Sequence, residues 1–473
     1  MRRRVVLYNP RAVFYTMPLP LLALGSVLNR DQYDVEILDG RLDSADKVFQ
    51  SLENALCLGI TVLTGAPLRD ALEMSREVRR RFPTLPIVWG GWHPSLFPEM
   101  VAAEPSVTAA VMGQGEDTFL ELLQAFEEGR SPVGIPGTCC RDDAGQLVKG
   151  PHRELRDLGD FPPVAYDLID VERYYRLKGV RQLDYISSQG CRFRCNFCAD
   201  PAVYNRGWFG YSAERMVSEL ADLHRRYPFN DVHFQDETWF TQKSRVEEFA
   251  RALIDAHLGI TWVATLRADQ GRRMDDDLYA LCKRSGLRKV IIGLEAGSQE
   301  MIDFIQKDIK VDDVYQTAEK LSRHGIAAVI NVIVGFPGET KESVAETLRV
   351  AREIRARDPA FELGIFYFKP YPGNPIAERL EKDGWQFPKD LGGWADFDFV
   401  GKERAHGNPW LTPEQKYGID GFRFYQRFAY DDHPGMLRSL LRRVSRLRVE
   451  KGWYQLPLER RLIEHLRPGA ALS

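Results

Sequence analysis

The sequence contains no long hydrophobic run, and it is poor in cysteine. Its longest apolar stretches, such as residues 326–336, are about half as long as a membrane span. The apolar run that follows the arginines at the start ends after four residues, which is too short for the core of a signal peptide. Seven cysteines in 473 residues are too few for a disulfide scaffold. We therefore expect a cytoplasmic protein with no transmembrane segment.

An excess of charge of one sign is also lacking. The 64 Lys and Arg residues nearly balance 67 Asp and Glu, so the net charge is −3. The chain as a whole therefore does not attract nucleic acid or anionic membranes, and we expect no nucleic-acid partner. What is present is a globular composition, 44% hydrophobic and 28% charged, which excludes a disordered chain, a collagen-like fibre and a coiled coil.

Regular alternation of strand-like and helical runs predicts an α/β, doubly wound domain over residues 1–135. The predicted strands are 4–8, 34–38, 56–61, 86–89 and 108–112, and the helical runs between them include 68–81 and 116–127. Ligands of such domains bind beyond the carboxyl ends of the strands. The segments that follow the strands contain the candidate residues Asn9, Thr61, Leu63, Thr64, Gly90, Gly91, His93, Gly113, Gln114, Gly115 and Glu116.

A second alternating region follows a Pro- and Gly-rich stretch. We expect residues 136–180 to be a linker with little regular structure. Residues 181–385 then carry six strand–helix units, with strands at 183–188, 231–235, 261–266, 289–293, 328–334 and 362–368. The helical runs between these strands include residues 213–226. Six units are fewer than the eight that close a full barrel, so we expect a partial barrel with one open side.

Residues 386–473 lose the alternation, and we expect a mostly helical cap there. Within them, residues 437–447 put leucines on one helical face and mainly arginines on the other. Such a helix suits an anionic membrane surface. We favour the other interpretation, a cap that packs its leucines over the open side of the barrel and leaves the arginines in solvent.

Three cysteines are clustered within eight positions. Cys191, Cys195 and Cys198 are spaced C-x3-C-x2-C directly after a predicted strand and a glycine. A structural zinc site needs four ligands, and an ordinary iron–sulfur site needs a fourth cysteine, which this stretch lacks. Three thiolates can instead hold three irons of a [4Fe–4S] cluster and leave the fourth iron open for a substrate or cofactor.

This arrangement, with the aromatic Phe197 before the last cysteine, resembles the signature of the radical S-adenosylmethionine (SAM) superfamily. The resemblance implies that the open iron binds the amino and carboxylate groups of SAM. It also implies that reductive cleavage releases a 5′-deoxyadenosyl radical, with an electron donor such as flavodoxin or ferredoxin. No P-loop is present, because Gly335–Gly338 is not followed by Gly-Lys-Ser/Thr.

The ends of the predicted barrel strands carry residues that match the superfamily in order. The resemblance assigns Gln235, Asp236 and Glu237 to the strand end that meets the SAM amino group, with Asp236 or Glu237 as the partner. It assigns Arg267 to the SAM carboxylate and Glu295 to the ribose. Near the adenine it assigns Val332 and Phe336.

The N-terminal glycine-rich segments resemble the cobalamin-binding domains of one radical SAM branch. That branch contains C-methylases and the anaerobic magnesium-protoporphyrin IX monomethyl ester cyclase, and Tyr371–Pro375 also matches it. The resemblance implies that the candidate residues of the first domain bind cobalamin, with glycines that let the backbone approach the corrin and the nucleotide tail. The chain lacks Asp-x-His-x-x-Gly, so no histidine is assigned to the cobalt, and we expect His93 to contact the corrin periphery or to cap a helix.

We therefore expect a cobalamin-dependent radical SAM enzyme that methylates an unactivated carbon of a small-molecule, lipid or peptide substrate. The methyl group would come from methylcobalamin, which a second SAM would regenerate. Three alternatives stay open. The enzyme could close a ring or oxidise a carbon without methyl transfer, its cobalamin domain could be vestigial, or the chain could be a non-catalytic cobalamin sensor.

Overall fold

Two alternating α/β segments organise the chain, as the sequence predicts. The structure is a computed structural model that describes residues 2–397, 408–430, 435–455 and 459. The described chain divides into two units. The first comprises residues 2–265, 284–286 and 370–397, and the second comprises residues 266–283, 287–369 and the described residues from 408 onwards.

The first α/β segment begins the first unit. Its elements are β1 (Arg3–Asn9), α1 (Leu19–Val27), β2 (Tyr33–Asp39), α2 (Ala45–Ser51), β3 (Ala55–Thr61), α3 (Ala66–Arg81), β4 (Ile87–Gly90), α4 (Trp92–Leu96), α5 (Pro98–Ala103), β5 (Ala109–Val111) and α6 (Glu116–Glu127). The strands are parallel in the order β2-β1-β3-β4-β5. Val5, Val6 and Leu7 are fully buried, as in strands covered by helices on both faces. The doubly wound prediction is confirmed, and the order reverses between β1 and β3, where such folds bind ligands.

The linker predicted at residues 136–180 is in part regular structure, so that prediction is wrong. The strands β6 (Thr138–Arg141) and β7 (Leu147–Lys149) extend the sheet antiparallel beyond β5, and α7 (Val171–Lys178) follows. Cys139 and Cys140 in β6 are completely buried. The proline and glycine residues that suggested a linker lie in the connections between these short elements. Because these residues dominate the stretch, the short strands and the helix that lie among them were not recognised.

The second α/β segment starts in the first unit. Its elements are β8 (Gln182–Tyr185), β9 (Ser188–Gly190), α8 (Asp200–Tyr204), β10 (Trp208–Gly210), α9 (Ala213–Arg226), β11 (Asp231–Phe234), α10 (Lys243–Asp255) and β12 (Thr261–Thr265). Strands β8, β11 and β12 are parallel neighbours, whereas β9 and β10 form a short antiparallel pair. Helix α9 begins at the predicted residue because the Ser212 hydroxyl caps it by accepting from the Arg215 amide.

The remaining elements complete the alternation and add helices. They are α11 (Ala268–Arg273), α12 (Asp276–Arg284), β13 (Leu287–Glu295), α13 (Gln299–Phe304), α14 (Val311–Arg323), β14 (Ala327–Val334), α15 (Lys341–Arg355), β15 (Phe361–Tyr367), α16 (Pro375–Lys382), α17 (Leu391–Ala395), α18 (Pro413–Ala429) and α19 (Met436–Lys451). In the second unit, β13, β14 and β15 are parallel. Each predicted barrel strand therefore corresponds to a strand of the structure, as expected for a partial (β/α)6 barrel.

Helix α19 packs on α18 with a different side from the one predicted. Leu440 and Leu447 are 60% and 50% exposed, whereas Ser445, Arg448 and Val449 are buried. The cap hypothesis is therefore wrong for Leu440 and Leu447, which it buries, and for Arg448, which it exposes. None of the helices in the described residues is long and apolar enough to span a membrane.

Candidate active site

The three clustered cysteines lie in the loop between β9 and α8. Their side chains are partly exposed, and none of them forms a disulfide. Burial raises the pKa of the Cys198 thiol well above its usual value, so iron has to displace a proton from this sulfur. The other four cysteines are buried within β3, β6 and α12, as expected for structural residues.

The donor atoms and the backbone of the cysteine loop suit an iron–sulfur cluster. Within the described chain, no group of three or more His, Cys, Asp or Glu side chains is arranged around one metal ion. Gly190 precedes the loop with a φ of +89°, and a Cβ there would lie 2.3 Å from the Gly207 carbonyl oxygen. Three cysteine sulfurs on a constrained loop are the donor set that a [4Fe–4S] cluster with one open iron requires.

A later segment of the chain holds the cysteine loop in place. The fully buried Asn374 donates from Nδ2 to the Phe197 carbonyl at 3.2 Å, and the Ile376 amide donates to the Asn196 carbonyl at 3.2 Å. Asn374 also caps α16 by accepting from the Ala377 amide at 2.9 Å. The sequence singled out the stretch around Asn374 but gave no indication of this contact.

Two adjacent carboxyl groups follow β11, and the oxygens of the first, Asp236, already accept hydrogen bonds within the protein. It accepts hydrogen bonds from the Ser187 amide at 2.8 Å, the Ser187 hydroxyl at 2.7 Å and the Ser188 hydroxyl at 2.5 Å. Arg245, whose charge acts on Asp236, is also buried and donates to Ser187. Asp236 therefore fixes the strands around it.

Glu237 is the carboxyl group that is available for a ligand. Its Oε1 accepts from the Tyr204 hydroxyl at 3.2 Å, and its buried Oε2 has no hydrogen-bond partner. Burial, followed by the nearby charge of Asp200, raises the pKa of Glu237 to about 8. A buried oxygen of this kind gains most from a bound N–H donor.

In the second unit, Glu295 is held by a lysine that sequence reasoning missed. Glu295 ends β13 after a register shift and has a φ of +62°. Lys307 Nζ donates to its Oε1 at 2.7 Å, and the two side chains are only 7% and 11% exposed. Arg267 Nη2 donates to the Lys307 carbonyl at 2.6 Å, so the assigned residues Arg267 and Glu295 share one hydrogen-bonded cluster.

The residues assigned to adenine are more deeply buried. Val332 and Phe336 have no exposed surface, and the Phe336 ring lies 4.7 Å from that of Phe368. Glu339 accepts from the Phe336 amide at 3.1 Å, and burial raises the pKa of Glu339 to about 6. The contact of Val332 and Phe336 with adenine stays a prediction.

A cavity of about 400 Å³ lies within the first unit at the carboxyl ends of the first sheet. The assigned cobalamin residues that line it are Asn9, Thr61, Leu63, Gly90, Gly91, Gly113, Gln114, Gly115 and Glu116. Gln235 and Glu237 line the same cavity, together with Gln189 and Tyr204, which the sequence did not indicate. The ends of two different sheets therefore meet in one space.

Hydrogen bonds join the two sides of this cavity. Gln114 Nε2 donates to Gln189 Oε1 at 3.0 Å. Asp184 accepts from the Met17 amide at 2.7 Å and from Gln235 Nε2 at 3.0 Å. The loop after β1 and the strand end at β11 are thus fixed to the same carboxylate.

The cavity has room where cobalamin would need it. A Cβ on Gly90 would have only Val111 within 4 Å, at 3.8 Å, and a Cβ on Gly113 would have no neighbour within 4 Å. Apolar side chains of the first sheet and its helices line the same space, including Leu24, Val88 and Phe119. Glycines facing open space beside an apolar wall suit the close approach of a corrin ring and its nucleotide tail.

Thr64 and His93 are not among the residues that line the cavity. His93 is completely buried, its Nδ1 is 3.0 Å from the Thr64 hydroxyl, and its ring lies 5.1 Å from that of Phe97. Burial lowers the pKa of His93 to about 3, so the imidazole is neutral. This hydrogen bond joins the segments that follow β3 and β4, and the contact of Thr64 and His93 with cobalamin stays a prediction.

Tyr204 stands out among the residues that sequence reasoning missed. It ends α8, directly after the cysteine loop, and besides its hydrogen bond to Glu237 its ring makes an edge contact with Trp92 at 5.6 Å. Trp92 lies in the glycine-rich segment after β4 and lines the cavity on the side of the first sheet. An aromatic residue close to the third cysteine is the only sequence signal for it, and that signal is weak.

Two family models match the chain. The model described as "B12 binding domain" matches residues 7–123, which cover the parallel part of the first sheet. The model described as "Radical SAM superfamily" matches residues 185–351, which include the cysteine loop and Glu295. These matches, with the cysteine loop and the cavity beside it, define the class of the protein, a radical SAM enzyme.

Individual relatives agree with both matches. An uncharacterized methyltransferase of Pyrococcus horikoshii is 29% identical over 368 residues, 76% of this chain and 78% of that protein. The anaerobic magnesium-protoporphyrin IX monomethyl ester cyclase of Synechocystis is 27% identical over 327 residues, 67% of this chain and 64%, less than two thirds, of the cyclase. The solved structure of the cobalamin-dependent radical enzyme OxsB, with aqua-cobalamin and SAM bound, has a TM-score of 0.75 at 16% identity. That match covers 95% of this chain and 72% of OxsB, and it concerns the fold alone.

The chain belongs to the cobalamin-binding radical SAM family. Its cofactors are therefore a [4Fe–4S] cluster, SAM and cobalamin. The chain is an enzyme rather than a non-catalytic cobalamin sensor, because its relatives include methyltransferases and a cyclase besides the radical SAM match.

Proposed function

We propose that this enzyme transfers a methyl group from methylcobalamin to an unactivated carbon of a small-molecule, lipid or peptide substrate. The observation that carries the proposal is the shared cavity of the first unit, in which Glu237 and the open glycines Gly90 and Gly113 line one space. A SAM-binding carboxyl group and a cobalamin site in one cavity suit chemistry in which both cofactors act on the same carbon. The similarity to a methyltransferase favours methyl transfer.

When bound, the cofactors would supply the 5′-deoxyadenosyl radical and the methyl group. Cys191, Cys195 and Cys198 would hold the cluster. Glu237 would accept a hydrogen bond from the SAM amino group, and Arg267 and Glu295 would hold its carboxylate and ribose. The side chains around Glu237 keep water away from its Oε2, so this hydrogen bond forms in a low-dielectric environment.

Cobalamin would bind against the residues that line the cavity on the side of the first sheet. The open backbone at Gly90 and Gly113 would admit it, and the Gln114–Gln189 hydrogen bond would keep the two walls at a fixed spacing. Tyr204 touches both walls, through Glu237 and through Trp92. We propose that flavodoxin or ferredoxin supplies the electrons and that the enzyme works in the cytoplasm.

The similarity to the magnesium-protoporphyrin cyclase favours a second candidate function, which is ring formation or carbon oxidation without methyl transfer. The two candidates differ in what they do to SAM. Methyl transfer produces S-adenosylhomocysteine and 5′-deoxyadenosine in equal amounts, because one SAM supplies the methyl group and another the radical. Cyclisation produces 5′-deoxyadenosine without S-adenosylhomocysteine.

The test uses the complete enzyme, produced anaerobically with hydroxocobalamin and iron–sulfur assembly proteins. Iron, sulfide and cobalamin are counted, and both SAM products are measured after reduction. We expect roughly four irons, one cobalamin and both products, with neither product formed by Cys195→Ala. Formation of 5′-deoxyadenosine alone would contradict methyl transfer. Retained cluster and SAM cleavage without cobalamin would contradict a role for methylcobalamin.

A further inference from the structure

Helix α19 exposes an apolar stripe, which we define as Met436, Leu440 and Leu447. These side chains are 93%, 60% and 50% exposed, and Trp453 just beyond the helix is 49% exposed. At 100° per residue the stripe falls within about 40° of the helix circumference. An exposed stripe of this kind is costly in water unless another surface covers it.

The orientation of the stripe is fixed by the opposite side of the helix. Ser445 and Val449, roughly 160–200° away from the stripe, are buried. The buried Arg448 donates to the carbonyl oxygens of Trp453 and Gln455 at 3.0 Å each, and its guanidinium lies 5.1 Å from the Tyr425 ring of α18. Turning the stripe inward would break these contacts and leave a buried guanidinium without its partners.

The charges of α19 differ from those of the rest of the chain. The helix contains six basic residues and one acidic residue, Glu450, whereas the whole chain has a net charge of −3. Arg443 lies beside the stripe on the helix circumference, Arg446 and Lys451 flank it, and all three are exposed. The surface therefore combines an apolar stripe with a positive border.

We propose that α19 docks the enzyme on an anionic lipid bilayer. The apolar stripe would lie at the boundary between headgroups and acyl chains, and Arg443, Arg446 and Lys451 would contact the lipid phosphates. A second copy of the chain is a poorer partner, because a two-fold contact through this face would bring the same cations together. A bilayer supplies the negative charge and the apolar layer in the geometry that the helix presents.

The experiment is vesicle co-sedimentation with the purified holoenzyme. The vesicles are phosphatidylcholine alone or phosphatidylcholine mixed with phosphatidylglycerol. We expect binding to the anionic vesicles only, weakened by salt. The double variant Leu440→Ser/Leu447→Ser should lose it, and Arg443→Gln/Arg446→Gln should weaken it about fivefold for each charge removed. The matched controls, Leu147→Ser on β7 and Arg251→Gln on α10, change an exposed leucine and an exposed arginine elsewhere and should bind like the wild type.

Circular dichroism and iron content verify that each variant is folded. If the leucine variant does not fold, the proposal is still tested by the vesicle binding of the arginine variant and by the salt dependence of wild-type binding. Absence of binding to anionic vesicles at low salt would overturn the proposal. So would a wild-type dimer that the leucine variant converts to a monomer while vesicle binding is absent, because the stripe would then be an interface between copies. Equal binding by the stripe and control variants would also overturn it.

Discussion

At the scale of single residues, neighbouring side chains of similar chemistry have different roles. Asp236 and Glu237 are both acidic and adjacent, yet the first is saturated by Ser187 and Ser188 and the second has an oxygen without a partner. The sequence predicted that one of them meets SAM but could not separate them. The difference arises from which side of the strand end each occupies, and therefore from contacts made by residues about fifty positions earlier in the chain.

Exchanging these two carboxyl groups for amides should have different effects. Glu237→Gln removes the carboxyl group that can lose its proton and pair with the charged SAM amino group, so we expect a loss of SAM affinity of about tenfold to a hundredfold with an unchanged fold. Asp236→Asn disrupts a buried network and should lower the free energy of unfolding by about 1–3 kcal/mol. Calorimetric binding of SAM to the reconstituted enzyme and thermal unfolding measure the two effects. Wild-type SAM affinity in Glu237→Gln would contradict the assignment.

The raised pKa of Glu237 predicts a pH dependence of stability. The folded carboxyl group keeps its proton up to about pH 8, whereas an unfolded one ionises near 4.5. Between these values the unfolded state holds fewer protons, so the contribution of Glu237 to stability falls as the pH rises. We expect Glu237→Gln to flatten this decline in urea unfolding of the metal-free chain at pH 5 to 8. Parallel curves for the two proteins would exclude the shift.

The buried pair of Lys307 and Glu295 gives a third prediction. Lys307→Met leaves the Glu295 carboxylate buried without its partner, and we expect a loss of about 3–5 kcal/mol in stability together with weaker SAM binding. Lys289→Met is the matched control, because Lys289 pairs with the exposed Glu362 and should lose less than about 1 kcal/mol. Denaturant unfolding of both variants measures the difference. Equal losses would mean that the buried pair has no special role.

At the scale of helices and strands, an element could be predicted where its apolar spacing is regular and its ends carry recognisable capping or turn residues. Helices α6 and α9 begin and end at the predicted residues, since their apolar spacing is regular and Ser212 marks the start of α9. The short strands β6 and β7 were missed because each has four residues or fewer and lies among turn residues. The side on which α19 packs depends on Arg448 and its contacts with Trp453, Gln455 and Tyr425, which the amphipathic pattern does not reveal.

Comparing the N-terminal caps of α16 and α18 tests whether the start of α16 stabilises the cysteine loop that would hold the cluster. Asn374→Ala removes the α16 cap together with the hydrogen bond to the cysteine loop, so we expect a clear loss of bound iron after anaerobic reconstitution. Thr412→Ala removes only the cap of α18 and should cost about 1 kcal/mol without loss of iron. Iron content per chain is the measurement. An unchanged iron content in Asn374→Ala would show that the loop does not need this residue.

At the scale of the whole molecule, the parallel sheets could be predicted from the sequence, but the cavity could not. Its walls come from segments as distant as Asn9 and Glu237, and only the folded chain brings these residues together. The glycines after β4 and β5 were recognised by their pattern, whereas Gln189 and Tyr204 belong to no pattern. His93 does not line this cavity and packs against Phe97, a contact that no spacing rule encodes.

Filling the cavity should remove cobalamin from the enzyme without removing the iron–sulfur cluster. Gly90 has no backbone conformation that requires glycine, so Gly90→Leu should fold and should occupy the space left for cobalamin. We expect the cobalamin content to fall at least about tenfold while the iron content is retained. Gly418→Leu on α18 adds the same side chain away from the cavity and serves as the control. Full cobalamin loading of Gly90→Leu would place the cofactor elsewhere.

The contact of Asn374 with the cysteine loop also has a consequence for the timing of biosynthesis. A ribosome makes Cys191, Cys195 and Cys198 long before it makes Asn374, so the emerging loop lacks the carbonyl contacts that hold it. Because domains fold as units during synthesis, the first sheet can form early, whereas the loop waits for the later segment. A nascent chain therefore carries a cysteine loop without these contacts, and we expect iron to load after translation has passed Asn374.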